Sequence, residues 1–158
     1  MFQSSVPYGS QQLPVEHDQV FVMPWLEQLA TQSEELNVEH EGVLRKLNSL
    51  LSALNTSDRN RIAMACTNMS AEARAHFAKE EEMMHAADYP ERAAHIEQHD
   101  ELLRLLARIL FKLRSNIGFW SSASERTLLE QWFVPHLTYA DQRFSEFMAA
   151  RRASANKA

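Results

Sequence analysis

Apolar residues recur at three- and four-residue intervals along four stretches of the chain, the period of a helix that buries one face. The first stretch runs from about Ser33 to Leu54 and places Leu36, His40, Val43, Leu44, Leu47, Leu50, Leu51 and Leu54 on one stripe. Asn55 to Asp58 break it, and Ser57 or Asp58 can cap the next helix. The second stretch, about Arg59 to Ala87, aligns Ile62, Met69, Ala73, His76, Phe77, Glu80 and Met84. Asp88 and Tyr89 make a turn, and Pro90 is well placed to open a third helix, since its missing N–H costs nothing there. That helix reaches about Arg114 with His95, His99, Leu102, Leu103, Leu106, Ile109, Leu110 and Leu113 inward. Ser115 to Ser124 reads as a loop. A fourth stripe, about Ser124 to Ala150, carries Leu129, Trp132, Phe133, His136, Leu137, Ala140, Asp141, Phe144 and Met148.

Four amphipathic helices with short links predict an all-α fold, an antiparallel up-down-up-down four-helix bundle. Residues 1–30 hold three of the five prolines and read as an irregular N-terminal arm that packs on the bundle, with Phe21 and Trp25 as anchors. The bundle is expected over 31–151, and 152–158 reads as a frayed tail.

Composition narrows the classes. The 158 residues suit one domain, and 45% hydrophobic content is enough for a core. The net charge of -5, with no basic patch or basic helix, argues against nucleic acid as a partner. No run approaches the ~18 apolar residues of a membrane span. Met1 to Val22 lack a basic segment followed by an apolar one, so no secretory signal is expected and a cytoplasmic location is the default. Cys66 is the one cysteine, which excludes an internal disulfide; it reads as a small buried hydrophobe.

The stripes also carry ionisable groups. His40, His76, Glu80, His95, His99, His136 and Asp141 all fall on inward faces, spread over all four helices. His76 and Glu80, like His95 and His99, are four apart and stack on one face. His136 and Asp141 are five apart, about 140° on an ideal helix, and so occupy opposite flanks of a wide stripe. Glu80 lies in an acidic triplet, but Glu81 and Glu82 are expected to point away. A lone inward histidine is more often a satisfied core residue than a ligand. Five of the seven in the chain turned inward together need something to compensate them. His17 and His85 are left without a role. Mixed imidazole and carboxylate donors suit iron, zinc, copper or manganese. Seven ligands are too many for one zinc, which usually takes about four. Two octahedral ions offer about twelve positions. With both carboxylates bridging and one oxo or hydroxo bridge, all but one are filled. This pattern predicts a metal pair with one vacancy for a small ligand.

The motifs resemble those of a known family, the hemerythrins, and in particular the single-domain bacteriohemerythrins. His76, Phe77, Glu80 to Met84, Tyr89, Pro90, His95 and His99 are similar to the family's central segment. Trp132, His136, Leu137 and Asp141 resemble its last-helix motif. Phe21 and Trp25 ahead of Asn37 and His40 resemble its leading segment. The resemblance covers about residues 21–148. It implies that His95, His99 and His136 hold one iron, that His40 and His76 hold a second with the open position, and that Glu80 and Asp141 bridge them. It further implies an O2 pocket of Val43, Phe77, Trp132, Phe133, Leu137 and Phe144. The chain departs from the family pattern at Asn37, Glu39 and Val43, at Phe144 where invertebrate members have tyrosine, and at Pro135, where a local kink is expected.

The implied cofactor is two non-haem iron ions bridged by oxo or hydroxo and two carboxylates. The implied activity is reversible O2 binding, for transport, storage or delivery to an oxygen-consuming enzyme, rather than catalysis. An O2, NO or redox sensor module, and a di-iron enzyme acting on peroxide or NO, are the alternatives. Repair proteins of the wider superfamily carry a glutamate four after the last histidine, where this chain has Ala140. A protein client is left unnamed.

Overall fold

A computed structural model describes residue 31, residues 33–115 and residues 122–156, all of the regular structure among them helical. The expected arm, with Phe21, Trp25 and His17, lies outside the described residues, as does the 116–121 part of the expected loop. Helix α1 spans Glu34–Leu54, α2 Arg59–Ala86, α3 Arg92–Ser115 and α4 Ser122–Pro135. A π-turn over His136–Ala140 then leads directly into α5, Asp141–Ala155. The last three pieces form one continuous fourth rod. It persists through residues 152–155, where the sequence suggested a frayed tail, and Asn156 caps it.

Local chemistry sets the ends. The Ser33 hydroxyl accepts from the Leu36 N–H, with Glu34 and Glu35 in the first turn where the helix dipole favours anions. Thr31 is tied to α1 through Asn37: its N–H donates to Asn37 Oδ1 at 2.7 Å, and Asn37 Nδ2 donates back to the Thr31 carbonyl at 3.1 Å. Asp58, not Ser57, caps α2, its carboxylate accepting from the N–H groups of Asn60 and Arg61. At the other end of α2, Asp88 adopts φ 52°. Tyr89 N–H then reaches the Met84 carbonyl and Asp88 N–H the His85 carbonyl, a Schellman stop. Its accompanying apolar contact, Tyr89 with Met84, belongs to a buried cluster. This stop reverses the chain and starts α3, so it helps set where His95 and His99 face.

The rods alternate in direction around a ring. At one end Arg126 donates to Asn55 Oδ1 and Arg59 to the Leu113 carbonyl. At the other Arg151 donates to the Ala87 carbonyl. The architecture is therefore the expected antiparallel four-helix bundle.

Two apolar layers of unequal size fill it. The large one runs from Val43 to Leu54 on α1 and includes Ile62, Cys66, Met69, Leu102, Leu106, Ile109, Leu129 and Phe133. Full burial of each large side chain contributes roughly 1.5–3 kcal/mol. The smaller layer is Leu36, Met84, Tyr89 and Phe144. The polar residues of the four stripes lie between the two. Among the described residues no helix is long and apolar enough to cross a membrane.

Candidate metal centre

All seven predicted donors are buried, none more than 3% exposed, and they converge. Their atoms form two groups. Glu80, His95, His99, His136 and Asp141 make one, and His40, His76 and Asp141 the other, with donor atoms in each within 4.8 Å of one another. Asp141 is common to both. Its Oδ2 lies 3.0 Å from His40 Nε2 and 3.9 Å from His76 Nε2. Its Oδ1 lies 3.0 Å from His95 Nε2 and 3.1 Å from His136 Nε2. Glu80 Oε2 stands 3.3 Å from His95 Nε2 and 3.2 Å from His99 Nε2, on the three-histidine side.

Backbone geometry brings Asp141 there. An ideal helix would separate it from His136 by about 140°. Instead the chain widens into a π-turn in which the Asp141 N–H donates to the His136 carbonyl, five residues back. The disturbance expected at Pro135 takes this form: proline supplies no N–H for the Gln131 carbonyl, and the wide turn begins at the next residue. The Thr138 hydroxyl donates to the Val134 carbonyl at 2.8 Å beside the turn. His136 and Asp141 thus both point inward.

Electrostatics within the cluster are strong because burial shields its charges from bulk solvent. Burial alone pushes Asp141 up, but the nearby imidazoles of His136, His40 and His76 and the hydrogen bond with His95 hold it well below the usual carboxylate range. Glu80 is pushed up by burial and by Asp141, yet His95 and His99 bring it down overall. Burial pulls His95 down, and the hydrogen bond to Asp141 together with the nearby Glu80 carboxylate outweighs it, raising the ring to about 9. His76 is raised by the same competition, with Asp141 the main partner. His136, desolvated and with His99 and His95 close by, falls to about 4.

The fit to metal rests on orphaned atoms. Both nitrogens of His40 and His76, both oxygens of Glu80, Nε2 of His99 and of His136, and Oδ2 of Asp141 are buried without a hydrogen-bond partner. Buried polar atoms are nearly always paired. So many orphans facing one another form a donor set of imidazoles and carboxylates suited to divalent cations. The residues present fit such a group.

The surroundings modify the sequence expectation. Val43, Phe77, Phe133 and Leu137 belong to the large apolar layer beside the donors, and Phe77 stacks on the His99 ring at 3.9 Å. Phe144 is buried in the smaller layer, in contact with Tyr89. Trp132 is not part of the buried wall: it is 44% exposed. The stripe of the fourth rod passes through Leu129, Phe133 and Leu137, so Trp132 falls off its edge. It lines an open groove of about 400 Å³ with Gln98, Pro135, Tyr139 and the edges of His95 and His136. Glu81 does not point away either. Its Oε1 accepts from His99 Nδ1 at 2.8 Å, and Gln98 Oε1 accepts from His136 Nδ1 at 3.1 Å. Sequence reasoning missed both partners. The signal was present for Glu81, since it and His99 flank the α2–α3 reversal on facing helices.

Comparison with known proteins gives the family and the fold. Residues 31–147 match the family model described as Hemerythrin, the hemerythrin HHE cation binding domain. A bacteriohemerythrin of Stenotrophomonas maltophilia is 27% identical over 129 residues, covering 82% of this chain and 83% of that protein. One from Ralstonia nicotianae is 26% identical over 139 residues, covering 86% and 96%. A crystal structure of a hemerythrin leucine-to-tyrosine mutant aligns with a TM-score of 0.63 at 22% identity, over 71% of this chain and 85% of that one, which shows a shared fold.

Proposed function

The chain belongs to the hemerythrin family, and from that premise we propose that its buried cluster holds two non-haem iron ions and binds O2 reversibly. The role is oxygen transport, storage or delivery to an oxygen-consuming enzyme, in the cytoplasm. One observation carries this reading: the two oxygens of Asp141 face two different histidine groups.

In the proposal His95, His99, His136 and Glu80 take one ion, and His40 and His76 take the other. Asp141 joins the two, and Glu80, with both oxygens unpartnered, is the second bridge. The two-histidine side has fewer donors, so the open position for a small ligand belongs there. Bound in this set, ferrous iron supplies reversible coordination of O2. The protein's part is to hold the ions in place and keep water away. Val43, Phe77, Phe133 and Leu137 form an apolar wall on one side, and Phe144 closes the other with Leu36, Met84 and Tyr89. Five neutral imidazoles and two anions donate less charge than the carboxylate-rich sites of ferritin-like bundles. That supports reversible binding over O–O cleavage, hence a carrier over an enzyme.

A second reading has one observation in its favour. Trp132 and Tyr139 are exposed beside His136 on the rim of the groove, a surface through which the state of the site could reach a partner. An O2, NO or redox sensor would use it.

The experiment is to load the protein anaerobically with ferrous iron, count iron per chain, and cycle O2 against vacuum while recording the visible spectrum. Two irons and a charge-transfer band that appears and disappears are expected. A band that forms once and does not reverse, with peroxide consumed, would show an enzyme instead.

A further inference from the structure

The outer nitrogens of the donor histidines are treated unequally. His99 Nδ1 donates to a carboxylate, Glu81, at 2.8 Å. His136 Nδ1 donates to a neutral amide, Gln98, at 3.1 Å. His40 Nδ1 and His76 Nδ1 have no partner among the described residues. The ring of His99 is also the one stacked flat on Phe77, 8° from parallel. Its remaining nitrogen, Nε2, is buried, unpartnered and 3.2 Å from Glu80 Oε2, in the middle of the three-histidine group.

We propose that Glu81 is a positioning residue for the metal centre: it fixes His99 with the proton on Nδ1, aims Nε2 inward, and makes that nitrogen a stronger donor than the imidazoles of His136, His40 and His76. This rests on the metal-binding reading above. The physical basis is that an anion accepting the Nδ1 proton shifts electron density toward Nε2 and locks one tautomer. A neutral amide does this less, and an unpartnered nitrogen not at all. The three-histidine side is therefore the more electron-rich, and the side left with His40 and His76 the less. Glu81 is 35% exposed in its side chain, so solvent screens part of its charge, but its contact is with the ring itself.

Three variants test this. Glu81→Gln keeps the size and an acceptor oxygen and removes the charge. Glu81→Asp keeps the charge on a shorter arm. Gln98→Glu gives His136 the partner that His99 already has. Two quantities are measured on the full chain: ferrous-ion affinity against a competing chelator with iron counted per chain, and the midpoint potential of the iron-loaded protein. Losing an outer-shell partner of a ligand typically costs about 10–100-fold in metal affinity. Glu81→Gln is expected to lose affinity in that range at one of the two positions, and its potential to rise, because ferric iron loses more from weaker donation than ferrous. Glu81→Asp recovers part of both, and Gln98→Glu lowers the potential. Affinity and potential in Glu81→Gln indistinguishable from the parent, with two irons bound in both, would overturn the proposal and leave the functional reading standing. Lost affinity with an unmoved potential marks a merely structural contact and also overturns it. A parent chain that takes up no iron overturns the functional reading and this proposal together.

Discussion

The main-chain N–H of Asp141 donates to the carbonyl of His136, five residues back instead of four. That single wide turn lets two donors with a spacing foreign to the α-helix face the same point. It also separates the work of the two carboxylates. Glu80 reaches the centre by the ordinary i, i+4 relation to His76. Asp141 comes in from a rod that had to be re-phased to bring it, and it alone stands in both donor groups.

Substitution at that shared position should dismantle the proposed metal pair. Asp141→Asn preserves volume but replaces one oxygen by an NH2 group, which donates where the site needs an acceptor. One face of the bridge is lost, so metal per chain should fall from two to one or none. Glu80→Ala should likewise abolish the pair. Metal analysis after desalting reads both, and retention of two ions by either variant would refute the assignment of that residue as a bridge.

Adjacent aromatic residues on the fourth rod should behave oppositely. Phe133 is fully buried and Trp132 is 44% exposed. Phe133→Ala removes a ring from the large layer and should cost about 3–5 kcal/mol. Trp132→Ala trims the rim of a groove and should cost under about 1 kcal/mol. Urea midpoints at constant m-value decide it. Equal losses would mean that Trp132 is part of the core after all.

The legible part of the fold was whatever obeys the helical period. The α1 stripe from Leu36 to Leu54 and the pairs His76 with Glu80 and His95 with His99 are written in fixed spacings, and each forms where the spacing puts it, while the cap of α2 was narrowed only to Ser57 or Asp58. The features that escaped depend on phase or on a neighbouring helix. Trp132 looks inward because it precedes His136 by one turn. However, His136 sits at the boundary of the buried face, so the residue one turn before it on that boundary is outside. Glu81 looks like a solvated member of an acidic triplet, and only α3, packed alongside, turns it toward His99. No residue propensity encodes the π-turn. Its one trace was the pair of inward donors five apart, His136 and Asp141. The tie between Asn37 and Thr31 had no signal in the sequence, where Asn37 stood only as a departure from the family pattern.

Cys66 should be inert in the native protein. It is fully buried, its thiol donates to the Leu106 carbonyl at 3.4 Å, and burial raises it from 9.0 to about 12, partly offset by Ser70. The thiolate is the reactive form, so a thiol reagent at pH 8 should label the chain only after denaturant is added. Between pH 9 and 12 the unfolded chain releases a proton that the folded chain keeps, so this group subtracts stability as pH rises through that window. Rapid labelling under native conditions would show that α2 and α3 part far more readily than their packing implies.

Metal uptake should compete with protons in a defined window. In the metal-free protein His95 holds its proton up to about pH 9, because Asp141 and Glu80 more than offset its burial. That proton stabilises the empty fold below the unfolded value of 6.5, and the contribution is lost as pH rises through about 9. A metal ion needs the neutral ring, so at pH 7 it must displace the proton. His136 offers no such resistance, being held down near 4 by burial and by His99 and His95. Apparent affinity for a divalent ion such as cobalt(II) should therefore climb between about pH 7 and 9, about tenfold per unit for each proton displaced, and level off above. Calorimetric titration in buffers of different ionisation enthalpy should register proton release at about pH 7 that fades by about pH 9.5. Affinity independent of pH over that range, with no protons released, would mean that His95 is already neutral in the empty site and that the two carboxylates are compensated by other groups.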